Sequence, residues 1–256
     1  MATVGRKTAP GTKVKPPTSW SFSRYGDYKT CPLKFKLKHL DKISEPKSDA
    51  MQRGIDAHNQ AEAYVKGEVK VLDPILVGLK SEFDAMRKLY KAKKFPMIVE
   101  DNWAFDVNWD ETQWNNWADC WVRIKLDAAH YTSANEMMVT DWKTGKPNDF
   151  KNAEYMEQLE LYAVSALLMS AAGDELRVRV RLGFTETGDI IYPMDSKGQE
   201  IVYMRKDLVK LKKLWDDRVR PMMSDTTFAP RANNTCKWCW FGQSKAKLGG
   251  PGLCKY

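Results

Sequence analysis

The sequence predicts a layered α/β or α+β sandwich, on three observations. Helix-like segments fill the chain up to about residue 93, strand-like runs follow from Pro96, and a long apolar helix near 152–173 crosses to further strands. With 256 residues, 43% hydrophobic and 29% charged, the chain can bury one core, so a single domain over 19–256 is expected.

Residues 1–18, "MATVGRKTAPGTKVKPPT", combine Pro, Gly and Thr with four basic side chains and little to bury, and read as a flexible basic arm. Order is expected from Trp20. Ser21 or Ser23 can cap a short helix ending near Pro32, with a second helical turn after it. Helices are expected at about 48–66 and 74–93. "MIVEDNWAFDV", "CWVRIKLDAAHY" and "EMMVTDWK" read as three strands, the first two flanking a tryptophan-rich loop. "NAEYMEQLELYAVSALLMSAAG" is the strongest helix signal, closed by Gly173. Strands at 175–185 and 189–194 turn at Gly188, a helix follows at about 203–220, and 231–256 is a cysteine-rich segment.

Several classes drop out. No run of about 18 apolar residues is present and the N-terminus has no apolar signal segment, so no membrane span is expected and a cytoplasmic location is. "TGKP" lacks the first glycine of a P-loop, because position 140 is Thr, and Pro147 stands where a magnesium-binding hydroxyl belongs. Neither H-E-x-x-H nor G-x-S-x-G occurs. A net charge of +8 suits a polyanionic partner such as nucleic acid.

The chemistry concentrates in "TDWKTGKPN". A strand's period of two sends Asp141 and Lys143 to one side and Trp142 to the other. In "WVRIKLDAAH", Val122, Ile124 and Leu126 share one face and Arg123, Lys125 and Asp127 the other. If the two runs pair, Asp127 and Asp141 converge with Lys143 beside them, a hard oxygen site suited to Mg²⁺ or Mn²⁺, with a lysine to orient or deprotonate water. For a lone D-x-K a surface salt bridge between neighbouring strands is the better explanation, so its company decides.

Two further spacings accompany it. Gly54, His58 and Glu62 stand four apart on a helix and form one stripe, and Gln158 and Tyr162 lie one turn apart after the D-x-K strand. In order, G-x-x-x-H-x-x-x-E, a strand-ending aspartate, D-W-K-T-G and Q-x-x-x-Y resemble the RecB-like branch of the PD-(D/E)xK nucleases, from about Ser21 to the C-terminus. The resemblance implies a restriction-endonuclease-like core, a central mixed β-sheet flanked by helices. It implies His58, Asp127 and Asp141 as metal ligands with the Trp142 carbonyl, Lys143 as the catalytic lysine, and Gln158 and Tyr162 steadying the site. Family members usually carry glycine three positions before the first aspartate, where this chain has Ile124; Glu100 is an extra or substitute acid.

Cys31 stands alone near the N-terminus, while Cys236, Cys239 and Cys254 lie at the other end. The C-x-x-C pair has the bite of a zinc or iron-sulfur site, and two more thiolates would complete four ligands. One cysteine before the core and three after it resembles the iron-sulfur staple of AddB and of CRISPR-associated RecB-like nucleases, which implies a 4Fe-4S cluster joining the N- and C-terminal segments. Zinc and free thiols are the alternatives, and the last gap of fourteen residues is longer than usual. Cys120 reads as structural.

Trp103, Trp109, Trp114, Trp117 and Trp121 cluster before Asp127, either to stack on unpaired bases or to fill a core. Basic residues in 24–39 and 205–220 either track phosphates or are solvated helix faces. The expected activity is that of a metal-dependent deoxyribonuclease, an exonuclease on DNA ends or single strands in recombination, repair or phage replication, in a bacterial or phage-infected cell. A helicase or single-strand annealing protein is the expected partner. The alternatives are a CRISPR-adaptation nuclease trimming spacer DNA and a non-catalytic DNA-binding module of the same fold.

Overall fold

The computed structural model describes residues 14–256, Phe150 by its backbone alone. The expected arm lies outside the described residues as far as residue 13. Just beyond it, the Val14 N–H donates to the Thr226 carbonyl at 2.9 Å.

The elements run in chain order β1 (Trp20–Ser21), α1 (Phe22–Thr30), α2 (Pro32–Phe35), α3 (Asp49–Lys66), α4 (Lys80–Ala92), β2 (Met97–Phe105), β3 (Glu111–Thr112), β4 (Val122–Ser133), β5 (Glu136–Lys143), α5 (Asn152–Met169), β6 (Arg177–Phe184), β7 (Ile190–Ile191), β8 (Tyr203–Met204) and α6 (Leu208–Ser224). The described residues fall into two compact units, one of residues 47–215 and one of 14–46 with 216–256.

In the larger unit the strand order is β3-β2-β4-β5-β6-β7, with β8 also on β6. Every pairing among these strands is antiparallel except β5 with β6, which run parallel because α5 crosses between them. The sheet is therefore mixed and flanked by helices. On one face, Ala57, Ala61, Tyr64 and Val65 of α3 and Phe83 and Met86 of α4 pack against Val99, Ala128 and Trp142. On the other lies α5, buried on every side from Leu161 to Leu167, which accounts for its unbroken apolar sequence.

Gly188 takes φ +78° in the β6–β7 turn, as its place between the two strands suggested. A Cβ there would come within 2.6 Å of the Gly78 carbonyl, so this turn and the segment before α4 meet backbone to backbone.

Two helix ends differ from expectation. Gly173 does not close α5, which stops at Met169 with Ser170 extended. Instead the Arg205 guanidinium donates to the carbonyls of Leu167 at 2.9 Å and Ala172 at 2.7 Å, a cap supplied from far along the chain. α6 runs through Pro221 to Ser224, because a proline in a last turn forfeits one hydrogen bond without breaking the helix. Among the described residues no helix is long and apolar enough to cross a membrane.

The second unit brings both ends of the sequence together. Phe35 stacks on Phe228 with ring centres 5.7 Å apart, and Tyr28 meets both edge-on while its hydroxyl donates to Asp225 at 2.9 Å. Asp27 gathers Lys34 at 2.7 Å, His39 at 2.8 Å and Lys38 at 3.1 Å. Burial opposes its charge, but the His39 hydrogen bond and the Lys34 and Lys38 cations outweigh it and hold the carboxyl well below the usual carboxylate range. A depressed carboxylate stabilises the fold above its ordinary value of 3.8 and loses that contribution as pH falls below it. Asp27→Asn is therefore expected to lower stability at pH 7 by about 2 kcal/mol and to flatten the acid limb below pH 4, measured by urea unfolding against pH.

Candidate active site

The site forms where β4 and β5 part company. Their ladder pairs Ala128 with Thr140, so one step further Asp127 faces Asp141. There the backbone pairing gives way, and the Trp142 N–H donates to Asp127 Oδ2 at 2.7 Å. On the other flank β2 pairs Val99 with Ala128 and Asp101 with Leu126, which puts Glu100 beside Asp127. Glu100, Asp127 and Asp141 thus stand in one row across three strands. Glu100 has φ +51°, the left-handed region, in the middle of a strand, a conformation that costs a non-glycine residue on the order of 1 kcal/mol or more.

His58 comes to this row from α3. Its Nδ1 lies 2.8 Å from Glu100 Oε1 and 3.3 Å from Asp127 Oδ1. The Trp142 ring, on the opposite side of β5 from Asp141, packs between His58 and Phe83 at 6.2 and 5.0 Å between ring centres. Of the rest of the stripe, Glu62 bonds Lys66, and a Cβ at Gly54 would sit in ordinary contact with Thr144 Oγ1 at 3.8 Å. Ile124 is buried and pairs with Trp103, so the sheet accepts a large residue where family members carry glycine.

The D-x-K and Q-x-x-x-Y residues form one hydrogen-bonded circuit. Lys143 Nζ lies 2.7 Å from Asp141 Oδ2 and donates to Gln158 Oε1 at 3.0 Å. The Gln158 amide donates to Tyr162 at 2.7 Å and to Asp141 Oδ1 at 3.3 Å, and the Tyr162 hydroxyl donates to Asp141 Oδ1 at 3.1 Å. Gln158 and Tyr162, one helical turn apart on α5, thus both hold Asp141 Oδ1, while Oδ2 faces Lys143.

The electrostatics follow from burial and crowding. Burial, and then the charge of Asp141, push the Asp127 carboxyl up to about 6 against the pull of His58. Burial works against a charged His58, but hydrogen bonds and charges from Asp127 and Glu100 prevail and hold it at about 10. Glu100 is lowered despite its burial, by His58 and by Lys125 2.9 Å away. Lys143 is raised despite its burial, chiefly by Asp141, so it is held charged.

His58, Glu100 and Asp127 offer ligand atoms all within 4.8 Å of one another. Of the four expected ligands, His58 and Asp127 meet there, Asp141 stands next in the row with its oxygens on Lys143, Gln158 and Tyr162, and Trp142 takes part through its N–H. Carboxylates with one imidazole are a donor set that fits Mg²⁺ or Mn²⁺. Sequence reasoning gave Glu100 only as an extra or substitute acid, since nothing in "IVED" announces its backbone turn.

In the smaller unit, Cys31, Cys236, Cys239 and Cys254 line one recess and form no disulfide. The Arg231 N–H donates to Cys31 Sγ and the Asn233 N–H to Cys236 Sγ, each at 3.3 Å. Cys120 is buried, with Arg123 Nε donating to its sulfur at 3.4 Å, a structural role as expected.

Residues 19–244 match the PD-(D/E)XK nuclease superfamily, and the chain belongs to it. PD-(D/E)XK nucleases use divalent metals, in keeping with the acidic row. No curated protein matches the sequence. Among solved structures the chain is similar to the crystal structure of SSO0001, at 15% identity and a TM-score of 0.38, over 89% of this chain and 85% of that one.

Proposed function

We propose that the chain is a metal-dependent deoxyribonuclease of the RecB-like branch that degrades DNA from its ends. One observation carries the reading: the acidic row Glu100, Asp127 and Asp141 closed by His58 at one end and by Lys143 at the other. His58, Glu100, Asp127 and Asp141 would hold Mg²⁺ or Mn²⁺, which when bound would polarise a phosphate and acidify a water beside it. Lys143, kept charged by Asp141, orients the attacking water and offsets charge developing on the phosphate. Gln158 and Tyr162 hold Asp141 in one orientation, and the Trp142 N–H does the same for Asp127.

The test is digestion of labelled linear and covalently closed circular DNA with Mn²⁺. Loss of the linear form to 5′-phosphorylated products with the circle intact is expected. Cutting of the circle overturns the exonuclease assignment, and no cleavage of either overturns the nuclease assignment.

The four cysteines are assigned to a 4Fe-4S cluster. Two backbone N–H groups directed at sulfur are the kind of hydrogen bond that cluster-bound cysteines receive. Protein prepared without oxygen is expected to be brown, with absorbance near about 400 nm that disappears in Cys236→Ser. A colourless protein with one equivalent of zinc refutes the assignment.

A further inference from the structure

The tryptophan-rich loop before β4 divides sharply. Trp103 and Trp109 are buried, as a core-filling role requires, whereas Trp117 is 64% exposed. Arg123 lies against the Trp117 ring, its guanidinium carbon 3.3 Å from the ring centre, and 5.2 Å from that of Trp114. Among the described residues no carboxylate pairs with Arg123, and its Nη2 is buried without a hydrogen-bond partner. A cation braced under an exposed indole and matched by no anion leaves a positive, flat surface.

Strand β4 connects that surface to the acidic row. The alternation of β4 sets Arg123, Lys125 and Asp127 on one side of the strand, about 7 Å per step, and Lys125 already reaches Glu100 at 2.9 Å. We infer that Trp117, Arg123 and Lys125 form a binding track for single-stranded DNA that leads to the candidate active site. The open face of Trp117 takes an unpaired base, and Arg123 steadies the ring while its charge attracts the adjoining phosphate; Lys125, paired with Glu100, links the track to the acidic row. Bases inside a duplex present no free face to an indole, so the track selects single strands or frayed ends. The inference rests on the nuclease reading for what the track feeds, but binding can be read without cleavage.

The experiment measures anisotropy of a labelled oligothymidylate with full-length protein in EDTA, over a series of salt concentrations. Trp117→Ala is expected to weaken single-strand binding roughly 5- to 150-fold and duplex binding less than twofold, while Trp117→Phe restores most of it. Arg123→Gln is expected to weaken binding and lower the salt slope by about 0.7. Trp117→Ala with parental single-strand affinity overturns the track, and so does an equal loss on duplex. Loss of single-strand binding in Trp117→Ala by a protein that cleaves nothing with Mn²⁺ upholds the track and refutes the nuclease reading alone. Because Trp117 is exposed, its replacement leaves the fold intact, which circular dichroism verifies.

Discussion

Lys143→Ala is expected to lower the Mn²⁺-dependent cleavage rate of linear DNA by about a thousandfold or more, the scale on which positioned charge and proton-transfer groups act. The ammonium sits 2.7 Å from Asp141, and Gln158 bridges the two, so alanine removes both the charge that faces the reacting phosphate and one anchor of the acid. Asp141 keeps its Tyr162 and Gln158 hydrogen bonds, so the fold survives at a cost of about 3 to 5 kcal/mol. The loss is therefore expected in kcat, under single-turnover conditions, with circular dichroism unchanged. Lys143→Arg keeps the charge but brings a planar fork into a place shaped for a compact ammonium, so it is expected to recover only a small part of the rate. A rate for Lys143→Ala within tenfold of the parent would sink the role assigned to this lysine.

How far this site could be read from the chain depends on how local each cause is. The period of two in "EMMVTDWK" fixes which side Asp141 and Lys143 share, and β5 occupies 136–143 as the pattern reads. Asp127 lies opposite because the two strands form a simple hairpin, in which pairing is set by proximity in sequence. Ser48 caps α3 and the stripe spacing carries His58 toward the sheet, again a matter of a few residues. Where the cause is distant, the sequence is silent. Arg205 caps a helix that ends some thirty-five residues earlier, and no local pattern announces it. The recess lined by Cys31 with Cys236, Cys239 and Cys254 shows in the spacing as a likeness to a known staple, yet only the fold puts both ends in one unit. Glu100, legible only as an extra or substitute acid, is instructive: alternation describes a regular strand, and its left-handed backbone is where the strand departs from regularity.

That departure makes Glu100 testable through its backbone as well as its carboxylate. In an ordinary strand glycine is less stable than alanine, because it has more freedom to lose. At φ +51° the order is expected to reverse, with Glu100→Gly more stable than Glu100→Ala by about 1 kcal/mol in urea unfolding, since only alanine carries a side chain into the left-handed region. Both variants remove one of the two carboxylates that hold His58 up at about 10. A raised histidine contributes stability below its ordinary value of 6.5 and loses it as pH climbs through 10, so both variants should lose part of that stabilisation at pH 6 and little of it at pH 10. Both should also bind Mn²⁺ at least about tenfold more weakly by calorimetric titration, because a site of His58 and two acids replaces one with three. Equal Mn²⁺ affinity in parent and both variants would remove Glu100 from the metal site, whereas alanine as stable as glycine would show that the turn in β2 belongs to the carboxylate's ion pairs and not to the backbone.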